Sequence, residues 1–475
     1  MSQATDHANA LPASPGRKLT LLPLVMVMFF TVSGGAYGLE DLVGSSGPGM
    51  ALVLIVVTPL IWSLPTALMV AELSTAMPVP GGYYAWVKRA LGPFWGFQEG
   101  WWSWITSFVD MAIYPVLFAD YLNSLLIQSF DNHILEENAF AHWAVTLVII
   151  WTFVFVNIRG SKGVGNASKY FGLFVLIPFG VMSVLGLFQM IGNPVAFWMP
   201  FVPEDTPVLS AFGTGLFVVM WNYLGWDGLS TVADEIHEPR RTFPRGLALC
   251  IPLVALAYLL PVGAGLQAAP EWSGWTAGFF PQVAAMVGGK WLGVWLAIGG
   301  LVSAAALFNA LMLSISRLPY FLAEDGFLPQ AITKRHPEYG TPWVAIALCA
   351  SIYSFFTLSA FSSLVVIDVI VYSASLLLEF AALIALRAKE PTMRRPVRVP
   401  GGWFGIAVVT AFPTAVLALA VYSTWQEEGI GALYLSAGAI ATGPILYPIL
   451  NRYVKKGRPS VEVPIEHDDA PVAAK

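Results

Sequence analysis

Ser33-Gly34-Gly35-Ala36-Tyr37-Gly38 interrupts the first apolar segment of this 475-residue chain, and Asn222-Tyr223-Leu224-Gly225-Trp226-Asp227-Gly228 interrupts the sixth. Both stretches sit where a helix crossing a bilayer should be continuous, and backbone freed at that depth is tolerated only where it lines a cavity or is buried in protein. The interruptions lie about 190 residues apart, five spans at about 38 residues each, and an odd displacement puts the two segments in opposite membrane orientations. That is the relation an inverted repeat of five helices requires, with a binding site at the repeat interface. Taken singly, either glycine set is explained as well by close helix packing. The matched pair favours two broken helices.

The composition supports the premise of a bilayer. The chain is 57% hydrophobic and only 11% charged, whereas soluble domains carry about 25% charged residues. A span takes about 20 apolar residues, and reading for apolar length gives twelve, near 18–43, 50–76, 94–127, 139–158, 167–191, 208–235, 246–268, 290–320, 342–360, 362–388, 402–423 and 430–453. Arg17 and Lys18 precede the first without a small-residue cleavage site after it, so it reads as a retained helix. Placing the N-terminus inside leaves Lys290 alone outside among 24 lysines and arginines, which predicts both termini cytoplasmic and a cell (inner) membrane location. The net charge of −5 without a separate basic domain excludes nucleic acid as an expected partner. Cys250 and Cys349 lie in apolar stretches and imply no disulfide framework. No P-loop, HExxH or paired CxxC occurs, so neither ATP-driven pumping nor an enzyme is expected, and no cofactor or metal centre can be assembled from two cysteines and six scattered histidines.

Acidic side chains inside spans are costly, which makes each a site candidate. Glu40 and Asp41 follow the first break, Asp110 lies mid-span four residues before Tyr114 on the same helix face, Asp227 is within the second break, and Glu379 is in span ten. Such carboxylates either hold a substrate ammonium group or carry a proton across. The rings of Tyr37, Tyr114, Tyr223 and Trp226 add to the attraction for a cation. The plainer alternatives are a solvated helix end for Glu40 and Asp41, and a structural hydrogen bond for Glu379. The N–H groups at Gly34, Gly35 and Gly38 would cradle a substrate carboxylate; an amino acid would use both cradle and acids, a polyamine only the acids. Glu72 and Asp368 read as structural. Asp234 and Glu235, near Arg240 and Arg245, fit an inner gate or an ordinary helix end. Lys169 fits a stand-in for sodium or a snorkelling lysine, and the stretch 80–88 reads as a short amphipathic element.

These motifs together resemble the amino acid, polyamine and organocation superfamily of secondary transporters. Ser33 to Asp41, the run from Asp110 to Phe118, and Leu378-Glu379-Phe380 are similar to its polyamine uptake branch, as found in plants, with the L-type amino acid branch beside it. Pro80-Gly81-Gly82, Trp226-Asp227 with Glu235, Pro239 and Pro244, and the run from Ala323 to Pro329 occur across the wider superfamily. The resemblance implies an all-α multi-pass protein of twelve transmembrane helices: a five-plus-five inverted repeat (18–191 and 208–388) with helices one and six discontinuous, and two more helices appended (402–453). The domain then spans 17–453, between disordered cytoplasmic tails at 1–16 and 454–475. It also implies alternating access, usually with proton coupling or exchange, and carries Glu40, Asp110, Asp227 and Glu379 over as substrate or proton carboxylates. Span eight departs from the polyamine branch: it offers Asn309, Ser314 and Ser316 but no acid, and looks more like the amino acid branch. Asn309 is therefore a coupling or gate candidate with Lys169, Asp234 and Glu235. The expected cargo is a polyamine or amino acid moved with protons. A neutral amino acid transporter or exchanger is the alternative of the same fold. A channel would repeat polar residues along several spans, and a nutrient sensor would need an output domain that the short tails do not supply.

Overall fold

The computed structural model describes residues 20–452 and 454, apart from 80, 160–163, 193–194, 229, 231–235, 270, 360 and 428–430. Helix α1 (Leu21–Val32) stops at Ser33, and α2 (Glu40–Ser46) resumes beyond the glycine stretch. Gly35 (φ +102°) and Gly38 (φ +86°) occupy the left-handed region that breaks a right-handed helix and that a Cβ disfavours. Span two joins α3 (Pro48–Thr58) to α4 (Leu64–Ala76) through a π-helical turn, Pro59–Ser63. Then come α5 (Gly82–Leu91), α6 (Pro93–Phe130), the single turn α7 (Ile134–Glu137), α8 (Ala139–Arg159) and α9 (Val164–Gly192). The second half holds α10 (Val208–Trp221), which ends at the second break, α11 (Pro239–Ala268), α12 (Phe280–Gly288), α13 (Lys290–Ile315), α14 (Arg317–Glu324), α15 (Trp343–Phe356) and α16 (Phe361–Lys389). Last come α17 (Gly402–Glu427) and α18 (Gly431–Leu450).

Among the described residues, 9 helical stretches are long and apolar enough to cross a membrane; three shorter apolar helices, α1, α10 and α15, complete the twelve expected from the sequence. The shortness of α1 and α10 follows from the breaks that end them. Helix α12 is an addition, too short to span, lying between spans seven and eight.

The packing repeats itself under a shift of five spans. α1 lies on α11, and its counterpart α10 on α3; α9 lies on α13, and α16 on α6; α9 lies on α11, and α16 on α4. The pairs α6–α13 and α8–α15 map onto themselves. This is the inverted repeat, read from contacts. Helix α6 is central, with 67% of its most apolar stretch buried, against 11% for the peripheral α18. Leu187, Phe188 and Ile191 of α9, Phe155 of α8, and Leu435 and Ile445 of α18 turn outward. Lipid accepts such a surface and water does not, so the chain is an integral multi-pass membrane protein.

At the end where α5 lies, ion pairs lock the bundle. Glu72 of α4, fully buried, accepts from Arg387 Nε at 2.5 Å and Nη2 at 2.6 Å, lies 3.3 Å from Arg395 Nε, and accepts from the Val399 N–H at 2.7 Å. Burial weakens the hold of the Arg395 guanidinium on its proton, and Glu72 beside it acts the other way. Helix α5 is strapped on by Arg89 to Glu390 in a two-bond fork of 2.9 Å each, by Lys88 to Asp325 at 2.7 Å, and by Tyr84 to the same Asp325. Glu72 is thus the structural group the sequence suggests, and 80–88 the amphipathic element, apart from Pro80, which lies outside the described residues.

Candidate substrate site

The first break is held from within. Ser303 Oγ on α13 donates to Gly34 O at 2.6 Å, and Tyr37 OH donates to Leu296 O at 2.9 Å. The Gly35 N–H donates to Ser33 Oγ at 3.2 Å. Glu40, at the first turn of α2, folds its carboxylate back: Gly38 N–H donates to Oε2 at 2.7 Å, while Tyr121 OH at 2.6 Å and Phe280 N–H at 3.2 Å donate to Oε1. A carboxylate at a helix N-terminus is favourable, and the chain supplies its own. Glu40 is therefore not a solvated helix end; its carboxylate already has three donors and occupies the Gly38 part of the cradle expected for a substrate carboxylate. Asp41 accepts from the Ala277 N–H at 3.1 Å.

The second break opens on different chemistry. Gly225 (φ +86°) turns the chain, and Tyr372 of α16 joins both sides of the turn, its OH accepting from the Gly225 N–H at 3.3 Å and donating to Asp227 Oδ1. Tyr223 points away from Asp227: fully buried, it donates to Ile55 O at 2.9 Å and packs edge-on against Tyr258. Trp226 is buried, and its indole N–H has no partner among the described residues.

Asp110 sits beside Trp221, the last residue of α10. Trp221 Nε1 lies 3.5 Å and Tyr114 OH 3.3 Å from Asp110 Oδ1, and both donate to it. Trp221 packs edge-on to Phe361, with centroids 5.4 Å apart, and a Cβ placed on Gly38 would come within 2.9 Å of it. One indole therefore ties the first break, the second break and Asp110 together. Asp368 of α16, 1% exposed, interacts electrostatically with Asp110 and has an oxygen, Oδ1, with no donor among the described residues.

A second acidic group forms around Asp227. Glu379 of α16 and Glu99 of α6 are within electrostatic reach of Asp227, and Glu379 also of Glu99. Both glutamates are buried, and among the described residues Oε2 of each has no hydrogen-bond partner; Glu99 Oε1 accepts from Ser103 at 3.3 Å. Tyr83 of α5 is within electrostatic reach of all three acids. Among the described residues no lysine or arginine pairs with Glu99, Asp110, Asp227, Asp368 or Glu379.

The structure thus gathers Gly34, Gly35, Tyr37, Gly38 and Glu40 at the first break, Asp110 and Tyr114 at Trp221, and Asp227 with Glu379. Asn309 is elsewhere, accepting from Asn157 Nδ2 at 2.8 Å between α8 and α13. Asp234, Glu235 and the side chain of Lys169 lie outside the described residues. Sequence reading missed Glu99, Tyr121, Trp221 and Tyr372, and took Asp368 as structural. One signal was available: Glu99 precedes Asp110, and Asp368 precedes Glu379, by eleven residues, about three helical turns and so the same face.

Residues 21–437 match the family model described as amino acid permease. The chain is similar to the polyamine transporter PUT1 of Oryza sativa subsp. japonica, 36% identical over 95% of this chain and 82% of that one, and to the polyamine transporter RMV1 of Arabidopsis thaliana, 35% identical over 93% and 87%. The crystal structure of MhsT in complex with L-phenylalanine superposes with a TM-score of 0.61 at 13% identity, covering 86% of this chain and 100% of that one, which is a likeness of fold. With a matching family model over most of its length and relatives above 30% identity along nearly all of it, the chain belongs to the amino acid permease family of secondary transporters.

Proposed function

We propose that this transporter takes up polyamines across the cell membrane, by alternating access and with proton coupling. The observation that carries the reading is the set of buried carboxylates at the second break, α6 and α16 that have no lysine or arginine partner among the described residues. Unpaired buried charge is expensive, and a polyamine brings the missing cations. The first break favours a polyamine over an amino acid cargo, because two of the three N–H groups of the cradle, those of Gly35 and Gly38, already donate to Ser33 and Glu40. The two relatives named above are polyamine transporters, which supports the same choice.

In this reading the α5 end faces the cytoplasm, since lysine and arginine concentrate there, and both termini lie on that side. Release inward requires α5 to lift from Asp325 and Glu390. A carboxylate left without its amine is the natural place for the coupled proton. Counterflow in proteoliposomes, with labelled putrescine, spermidine and spermine against a panel of amino acids, with and without a pH gradient, tests this. Exchange of polyamines, stimulated by an inward proton gradient, is expected; exchange of neutral amino acids without exchange of polyamines would overturn it.

A further inference from the structure

The acids are not one cluster but two, stacked along the same pair of helices. On the packed helices α6 and α16, Asp110 and Asp368 are within electrostatic reach of each other, with Trp221 and Tyr114 bonded to Asp110; eleven residues along each helix, Glu99 and Glu379 are within reach of each other and of Asp227. Eleven residues at 1.5 Å each set the tiers about 16 Å apart, and three turns keep them on one face of each helix. Each tier includes a fully buried carboxylate oxygen with no donor among the described residues: Asp368 Oδ1 in one, Glu99 Oε2 and Glu379 Oε2 in the other. A single ammonium ion satisfies one tier and leaves the other buried and unpaired, which costs several kcal/mol in the low-dielectric interior.

We propose that the two tiers bind the two ends of one long linear polyamine at once, so that the spacing from Asp110 and Asp368 to Glu99, Asp227 and Glu379 selects cargo by the distance between its terminal amines. This rests on the polyamine reading above. The chain length follows from bond geometry. Three backbone bonds advance at most ~3.6 Å, so an extended tetraamine such as spermine, with about thirteen bonds between its terminal nitrogens, spans about 16 Å. Its terminal amines reach both tiers, and its four positive charges meet five carboxylates. Putrescine, with about five bonds between nitrogens, reaches one tier only. Trp221 and Tyr114 flank the upper amine and Tyr83 and Tyr372 the lower, each offering a ring or hydroxyl oxygen to a cation.

The test uses the purified full chain and equilibrium competition against labelled spermine. On the wild type, α,ω-diaminoalkanes of increasing length should gain affinity to an optimum near twelve carbons and lose it again beyond, because an apolar chain alone would keep gaining. On Glu99→Gln, and independently on Glu379→Gln from the other helix, the ratio of the spermine to the putrescine dissociation constant should rise at least ten-fold, and Glu99→Asp should bring it back to within about three-fold of wild type. Polyamine binding with no optimum in the diamine series, or glutamine variants that weaken every amine by one common factor, would overturn the two-tier proposal while leaving polyamine transport standing. A wild type that binds no polyamine at all removes the functional reading itself.

Discussion

Glu72 and Glu379 are both buried glutamates, one packed against α16 and the other carried by it, yet the helix answers only the first. Eight residues beyond Glu379 along α16, Arg387 turns its guanidinium onto Glu72, with Arg395 and the Val399 N–H completing the shell. Glu379 has two neighbouring acids and an oxygen with no donor. Residue type and depth are therefore poor guides to role, and the partner set decides. A buried carboxylate with its cations in the chain is part of the scaffold; in the proposed function, one left with neither a cation nor a full set of donors takes its partner from the cargo.

Breaking that contrast gives the largest effect. Glu72→Gln leaves two arginines facing a neutral amide, and removing one partner of a buried ion pair costs about 3–5 kcal/mol, so the melting temperature of the purified protein should fall sharply. Glu379→Gln removes a charge that lacks a partner and should hold or raise the melting temperature while reducing uptake. Equal melting losses in both would erase the distinction. Next is Gly35→Ala: at φ +102°, with a Cβ placed 2.9 Å from Phe179, the strain is about 1–3 kcal/mol, and uptake should drop by at least ten-fold with the protein still folded. Wild-type uptake in this variant would show that the first break does not need its left-handed turn.

Smaller effects sharpen the picture of the second break and its cover. Tyr372→Phe deletes hydroxyl bonds to Asp227 and Gly225, each worth about 1 kcal/mol, and should weaken polyamine uptake several-fold; an unchanged KM would separate the tyrosine from the site. Lys88→Gln cuts one half-exposed strap of α5, worth under about 1 kcal/mol. Its readout is access, since Cys250 and Cys349 are buried: a cysteine at Ser103 should react several-fold faster with an impermeant thiol reagent applied from the α5 side, and an unchanged rate would mean that α5 does not cover the acids.

The breaks were legible in the sequence because two glycine clusters recur at matching places in apolar runs five spans apart, which close helix packing alone does not require. Side-chain direction was not legible. Tyr223 and Tyr372 are alike in sequence terms, and only the turn at Gly225 sends the first to Ile55 and brings the second to Asp227. Glu40 looked like a ligand because its three donors come from residues 38, 121 and 280, which adjoin only in the folded chain. Glu99 was hidden by position: it lies near the start of α6 among Gln98, Gly100 and Trp101, where an acid passes for a helix end.

Equilibrium binding of labelled spermidine to the purified wild type and to Asp227→Asn tests the central claim most directly. If carboxylates without partners hold the amine cargo, affinity should fall at least ten-fold with the melting temperature maintained. Spermidine bound equally tightly by both proteins would contradict it.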